Sequence, residues 1–414
     1  MMEGELLCMQ TAKHQVMRSM NTTALLQTIH QYGAMSRQLL HERTGLSWGA
    51  ISNIVSDLLS EGILIELPVE GKHSGRPSAD IAINARKYLF GGIDINMQGL
   101  SVVITNMVGK ALITLYELNI GNTPQEVLEK CADLLNGCLQ KMSLSAADLS
   151  GIGVSIQGSI DSSRRVSLYS PHLPYWDNVQ VCDFFEKRFG ISTLLFHDTY
   201  AMLQAERMEG RHNAQNMAFI RLSMGFGMAL FLNGQSYMDM GGNASEYGHT
   251  IIKPNGLRCT CGNCGCLEAY VSGRSLLYQA QEGVARGTYN VELKDGDNWG
   301  NITRLAQAAR DGHSYERSLF KQMGHYFGIG LVNLTNTLNP EMIIVGGNLA
   351  QFSDLYIDEA INVLKMRAWK QNHPRVVLSN LNMDGAAIGA AISTVKFLPD
   401  GSLPEAVKRL LETS

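Results

Sequence analysis

Cys259, Cys261, Cys264 and Cys266 fall within eight residues, with His249 just upstream. Four thiols this dense beside an imidazole look like the donor set of a tetrahedral zinc site. Glu246 and Glu268 bracket the cluster. Carboxylates there are placed to bind a second molecule beside a loop stiffened by metal. The other four cysteines, Cys8, Cys131, Cys138 and Cys182, are scattered through helix-like segments and read as small buried hydrophobes. The start of the chain lacks a basic stretch followed by an apolar one, and no run approaches the roughly 20 apolar residues of a membrane span. The expected compartment is therefore the cytoplasm, where thiols stay reduced, which favours metal over disulfides.

A second chemistry lies near the N-terminus. Ser47, Trp48, Ser52, Asn53 and Ser56 share one face of a helix-like segment whose opposite face carries Ile51, Ile54, Val55, Leu58 and Leu59. Short polar side chains on an exposed helix face can hydrogen-bond bases or phosphates in a DNA groove. The preceding segment opens with Ser36 and Arg37, turns inward with Leu39 and Leu40, and stops at Gly45. Residues 63–67 read as a strand, followed by a polar wing. Helix, short turn, helix and wing form the winged helix-turn-helix pattern. Arg76 follows in Ser74-Gly75-Arg76-Pro77. An arginine held extended by the next proline suits a minor groove rich in A·T pairs. The net charge of −4 excludes bulk nucleic-acid binding, so any DNA contact must be local.

The elements that position these groups are those of an α/β protein. With 414 residues the chain needs two or three domains. Apolar strands are expected at 88–95, 100–107, 111–118 and 149–156, with a helix at 123–142. A second strand set is expected at 217–223, 227–232, 248–252 and 342–347. Helices are expected at about 272–284, 300–311 and 314–338. Two α/β lobes with a cleft between them is the economical architecture.

Glu246-Tyr247-Gly248-His249, followed by Cys-x-Cys-Gly-x-x-Gly-Cys-x-Glu ending at Glu268, resembles the signature of the ROK family (repressors, open reading frames and kinases). Supporting pieces are 155–161, 170–176, Gly346-Gly347 and the small-residue stretch 385–391. The N-terminal segment resembles the repressor branch, which includes glucose- and N-acetylglucosamine-responsive members. The resemblance implies an N-terminal winged helix-turn-helix followed by a two-lobed actin-like sugar-kinase fold. It divides the chain into a DNA-binding domain with linker over 1–80, an N-terminal lobe over 81–200 completed by 385–414, and a C-terminal lobe over 201–384. It implies zinc on His249, Cys259, Cys261 and Cys266, with Cys264 free. It also implies sugar contacts from Glu246, His249 and Glu268, with Asp198 matching the aspartate that is the base in the kinases.

Departures from the family pattern bear on function. ROK kinases carry an Asp-x-Gly-Gly-Thr-like phosphate loop after the first strand, where this chain has Asp94-Ile95-Asn96-Met97-Gln98. Side chains at 96 and 97 block the close backbone approach that phosphate needs. The second phosphate loop reads Ser223-Met224-Gly225 in place of Gly-Thr-Gly. His172 stands where the family usually has the asparagine before Leu-Pro, and His197 and Tyr200 flank Asp198 where asparagines are usual. His172 is therefore expected to line an altered sugar pocket.

The expectation is a regulator and not an enzyme: a sequence-specific repressor of carbohydrate uptake or catabolism genes, bound to palindromic operator DNA as a homodimer or homotetramer. A sugar or sugar phosphate would close the lobes around Glu246 and Glu268 and change the separation of the DNA readers. Two alternatives compete with it. One is an ATP-dependent sugar kinase fused to a DNA reader; the other is a repressor released by a phosphotransferase-system protein.

Overall fold

A computed structural model describes residues 17–18, 20–30, 32–68, 79–170, 173–208, 214–237, 245–287, 293–370 and 372–397. The chain divides into two units. Unit 1 comprises Met1–His212 and Met383–Ser414; unit 2 comprises Asn213–Asn382. Sequence reading set the lobe boundaries at 200/201 and 384/385. The helix beginning at Asp198 belongs wholly to unit 1, packed on the helix that begins at Gly385.

Among the described residues, unit 1 opens with three helices: α1 over 20–30, α2 (Arg37–Thr44) and α3 (Trp48–Ser60). Each start and stop has a local cause. Gly33 ends α1, its N–H donating to the Ile29 carbonyl at 2.9 Å. The hydroxyl oxygens of Ser36 and Ser47 accept from Leu39 N–H and Ala50 N–H, satisfying orphan donors at the starts of α2 and α3. Strands β1 (Leu64–Leu67) and β2 (Asp80–Ile83) then pair antiparallel as a two-stranded ribbon. The expected wing tip and Arg76 lie outside the described residues, as does Cys8.

A five-stranded sheet follows. Its strands are β3 (Leu89–Asn96), β4 (Gly99–Asn106), β5 (Ala111–Glu117), then, after α4 (Pro124–Lys141), β6 (Leu149–Ile156). The small antiparallel sheet of β7 (Ser159–Asp161), β8 (Val166–Tyr169) and β9 (Asp177–Val179) comes next. Helix α5 (Val181–Phe189), the fifth strand β10 (Thr193–His197) and α6 (Asp198–Met208) complete this stretch. The large sheet is ordered β10-β6-β3-β4-β5, antiparallel through β3-β4-β5 and parallel through β10-β6-β3. Strands buried on both faces explain the near-continuous apolar runs at 89–95 and 149–156. Cys131 and Cys138 of α4 and Cys182 of α5 are buried, as their apolar surroundings led one to expect. Burial, against the Arg165 guanidinium and with the Glu186 and Asp183 carboxylates, pushes the Cys182 thiol up to about 12.

In unit 2, β11 (Met217–Leu222), β12 (Phe226–Leu232) and β13 (Gln235–Tyr237) begin a second five-stranded sheet. Helices α7 (Glu268–Val271), α8 (Gly273–Ala285), α9 (Asn298–Arg310) and α10 (Ser314–Leu338) follow. Strand β14 (Met342–Gly346), α11 (Ile357–Arg367) and β15 (Arg375–Leu378) give the sheet order β13-β12-β11-β14-β15. The strand expected at 248–252 is absent. Tyr247–His249 instead form a 3-10 turn, and Ile251 pairs only as an isolated bridge with Cys266. The Thr250-Ile251-Ile252 run has strand composition, but the cysteine loop folds back on it and takes its hydrogen bonds.

The chain then returns to unit 1 as α12 (Gly385–Ser393), a helix of glycine, alanine, isoleucine and one serine. Such small residues permit backbone-to-backbone packing. A Cβ on Gly389 would sit 1.7 Å from the Ala201 carbonyl oxygen of α6. One core then joins the ends of α6 and α12 to the N-terminal helices. It contains Leu25, Leu26, Ile29, Leu40, Ile51, Val55 and Leu58 together with Phe90, Met107, Met208, Ile392 and Val395.

Candidate functional site

The cysteine loop is built by its own backbone. Leu267 N–H donates to the Thr250 carbonyl and Ile252 N–H to that of Gly265, both at 2.9 Å, which draws the two ends together. Inside them, Cys259 N–H donates to Asn263 and Gly262 N–H back to Cys259, closing a tight knuckle. Gly265, at φ +83°, lies where a Cβ would fall 1.9 Å from the Lys253 carbonyl oxygen, so no other residue fits. The Tyr270 hydroxyl accepts from Leu257 N–H at 2.7 Å and braces the loop from below. Tyr270 was not singled out in the sequence, since its role depends on a fold-back that spacing does not reveal.

This scaffold converges four donors. One ligand atom each from His249, Cys259, Cys261 and Cys266 lies within 4.8 Å of the others. His249 Nδ1 is 3.6 Å from the Cys259 sulfur, and the Cys261 and Cys266 sulfurs are 3.7 Å apart. Cys264 is exposed and outside this set. Burial pushes the Cys266 thiol up to about 12 and raises that of Cys259, while a backbone hydrogen bond from Asn263 holds Cys261 low. A cation that binds here displaces those protons, so one imidazole and three sulfurs suit a divalent ion of borderline softness.

Both bracketing glutamates are tied to this loop, in different ways. Glu246 is exposed, its carboxylate 3.7 Å from His249 Nε2, so the ring faces the sulfurs with one nitrogen and Glu246 with the other. Glu268 is buried at the start of α7. Its Oε2 accepts from Phe226 N–H at 2.9 Å and its Oε1 from the Thr260 hydroxyl at 3.3 Å. It thereby links the metal loop to the Ser223–Phe226 segment. A cavity of about 180 Å³ beside it is lined in part by Arg258, Thr260, Arg274 and Tyr278. The Ser223 and Met224 carbonyls accept from Gly273 and Arg274 N–H at the start of α8, and the Met224 side chain is buried in the core of unit 2.

In unit 1, Asp198 is the first residue of α6 and is buried. Its Oδ1 accepts from Thr199 N–H at 2.7 Å and lies 3.1 Å from His197 Nδ1. The turn after β3 is closed by its own side chains. The Asp94 carboxylate accepts from Asn96 Nδ2 at 2.6 Å and from the Ser155 hydroxyl at 2.7 Å, and the Asn96 side-chain oxygen takes Gln98 N–H at 2.9 Å. His172 lies outside the described residues.

On α3 the structure brings Ser47, Trp48, Ser52, Asn53 and Ser56 to one exposed face, opposite buried Ile51, Ile54, Val55 and Leu58. Ser36 and Ser47 are both N-caps through their hydroxyl oxygens, and Arg37 pairs with Glu66 of β1 at 2.8 Å. Among the described residues no helix is long and apolar enough to cross a membrane.

Comparison with known proteins matches residues 90–396 to the ROK family. A xylose repressor of Caldicellulosiruptor bescii is 25% identical over 363 residues, covering 86% of this chain and 90% of that protein. The DNA-binding transcriptional dual regulator NagC of Escherichia coli K12 is 25% identical over 405 residues, covering 96% and 97%. Among solved structures, a ROK family transcriptional regulator described as a homolog of the E. coli MLC protein superposes with a TM-score of 0.73 at 23% identity, over 96% of this chain and 97% of its own. A ROK family glucokinase from Streptomyces griseus, in complex with glucose and AMPPNP, gives a TM-score of 0.62 at 24% identity. It covers 98% of its own chain but 73% of this one.

Proposed function

The chain belongs to the ROK family, and from that membership we propose that it is a sugar-responsive, DNA-binding transcriptional repressor acting on carbohydrate uptake or catabolism genes. The observation that carries the reading is the N-terminal block of three helices and a ribbon. The kinase-type fold accounts for about three quarters of the chain, and repressors align with it nearly end to end. That block has the order and capping of a winged helix-turn-helix, with α3 as the helix that enters the major groove. Ser47, Trp48, Ser52 and Asn53 would face the bases, and Arg76, beyond the described residues, a flanking minor groove.

Zinc is the metal this donor set favours. Three thiolates and an imidazole fit a closed tetrahedral structural site, with no position left for a reacting water. When bound, the ion supplies rigidity: it fixes the directions of His249, Thr260 and, through Thr260, Glu268. His249 spans the two roles the resemblance gave it, with Nδ1 toward the metal and Nε2 toward Glu246 and a sugar hydroxyl. Carboxylates at 246 and 268 suit hydroxyl donors, each oxygen accepting a charge-assisted hydrogen bond.

The kinase alternative is disfavoured by the turn at 94–99, where Asn96 and Met97 carry side chains and the Gln98 N–H is taken by the Asn96 side-chain oxygen. Phosphoryl transfer depends on positioning and charge stabilisation, and Asp198 alone supplies neither. Release by a phosphotransferase-system protein is the second reading, and it predicts no heat on titration with sugars while zinc is intact. A homodimer on a palindromic operator is the assembly proposed. The test is capture and sequencing of genomic fragments at fixed salt. Enrichment of a palindrome beside sugar transport or catabolic genes is expected. Absence of any enriched sequence overturns the reading.

A further inference from the structure

We propose that Trp48 is an apolar reader of thymine, its indole set against the 5-methyl group in the major groove, and that Gly49 lacks a side chain so the helix can close up to the DNA. The inference rests on the DNA-binding reading above and adds to it the base that is read and the chemistry that reads it.

Trp48 is the first residue of α3 and 50% exposed, an unusual place to leave an indole in water. It is held in place from one side. Its ring packs on His41 at a centroid distance of 5.2 Å and an interplanar angle of 32°. The His41 ring is fixed in turn by Nδ1–H donating to the Leu46 carbonyl at 2.6 Å. One flank of the indole is therefore braced, and the rest of the ring stays open to solvent.

Gly49 supplies the second observation. It lies within α3, it is not among the positive-φ glycines, and a Cβ built on it meets nothing within 4 Å. Neither backbone conformation nor internal packing asks for glycine here. Glycine also weakens a helix relative to alanine. What its bareness makes room for must lie outside the protein. Trp48 and Gly49 continue into exposed Ser52, Asn53 and Ser56 on the same face. The surface thus offers one large apolar contact, a gap, and then short polar groups. On the major-groove edges of the base pairs the thymine methyl is the apolar feature, and all else is donor or acceptor. A braced indole matches that methyl.

The test uses the full-length protein and an operator selected from genomic fragments. Each thymine is replaced singly by uracil, which removes only the methyl, and affinity is measured at fixed salt. At the contacted thymine the wild type is expected to bind uracil about fourfold more weakly, the loss for one buried methyl-sized group. Trp48→Ala should bind the two duplexes equally, and Trp48→Phe should keep the preference. Gly49→Ala should lose affinity on every duplex while melting no lower than the wild type. Wild-type affinity unchanged at every thymine overturns the proposal without any variant, as does discrimination surviving in Trp48→Ala. Undiminished binding by Gly49→Ala overturns the second half. If the protein selects no sequence at all, the DNA-binding reading itself falls and takes this inference with it.

Discussion

The turn after β3 joins it to β4 in unit 1, and the loop of 249–268 leads into α7 in unit 2; their polar groups behave in opposite ways. In the first, Asp94, Asn96 and Ser155 satisfy one another and the Gln98 N–H, leaving the turn closed on itself. In the second, the backbone spends its hydrogen bonds holding four side-chain donors around one point. Buried polar groups must find partners. One loop finds them internally; the other gathers four donors at one point, where a metal ion is proposed to sit.

The largest effect should come from the metal loop. Cys259→Ser or Cys266→Ser is expected to cut bound zinc from about one per chain to under a tenth, as structural zinc contributes on the order of 10 kcal/mol in small sites. Elemental analysis of the purified proteins reads this, with Cys264→Ser retaining the ion. Full retention in Cys259→Ser would break the contrast at its root. Next, Glu268→Ala leaves the Phe226 N–H and the Thr260 hydroxyl without their acceptor. A loss of about 3 kcal/mol in denaturant unfolding is expected, and an unchanged midpoint would mean Glu268 does not join the two segments. Asn96→Ala should cost less, about 1.5 kcal/mol, because Ser155 still serves Asp94. The smallest effect is the most telling. Millimolar Mg-ATP should shift the melting temperature by less than about 1 °C, since a ligand well below its Kd adds almost nothing. A clear shift, or hexose phosphorylation that disappears in Asp198→Asn, would reverse the comparison and restore the kinase reading.

Much of this was legible in the residues. The 25-residue α10 began and ended where its pattern placed it, and the stop signals at Gly33 and Gly45 lie at real helix ends. The convergence of His249, Cys259, Cys261 and Cys266 was readable because thiols so close in sequence have few other uses. Two things were not. The 248–252 segment reads as a strand from its β-branched residues, and only the fold-back of a loop fifteen residues on replaces the strand with a 3-10 turn and a single bridge. Likewise nothing local announces that Arg37 pairs with Glu66 in β1, 29 positions away in the sequence. Local pattern reports what a segment can form; distant partners decide what its charged groups will touch.

The core shared by α1–α3 with Phe90, Met107, Met208, Ile392 and Val395 bears on engineering. A helix-turn-helix with a core of its own could be exchanged between regulators like a cassette, cut at the linker and joined to a new sensor. Here the seam runs through the middle of an oil drop. A chimera that transplants residues 1–83 onto another lobe must carry matching side chains at those five positions. If α3 reads the operator as proposed, specificity is more easily retuned by point changes on its exposed face than by swapping whole N-terminal blocks.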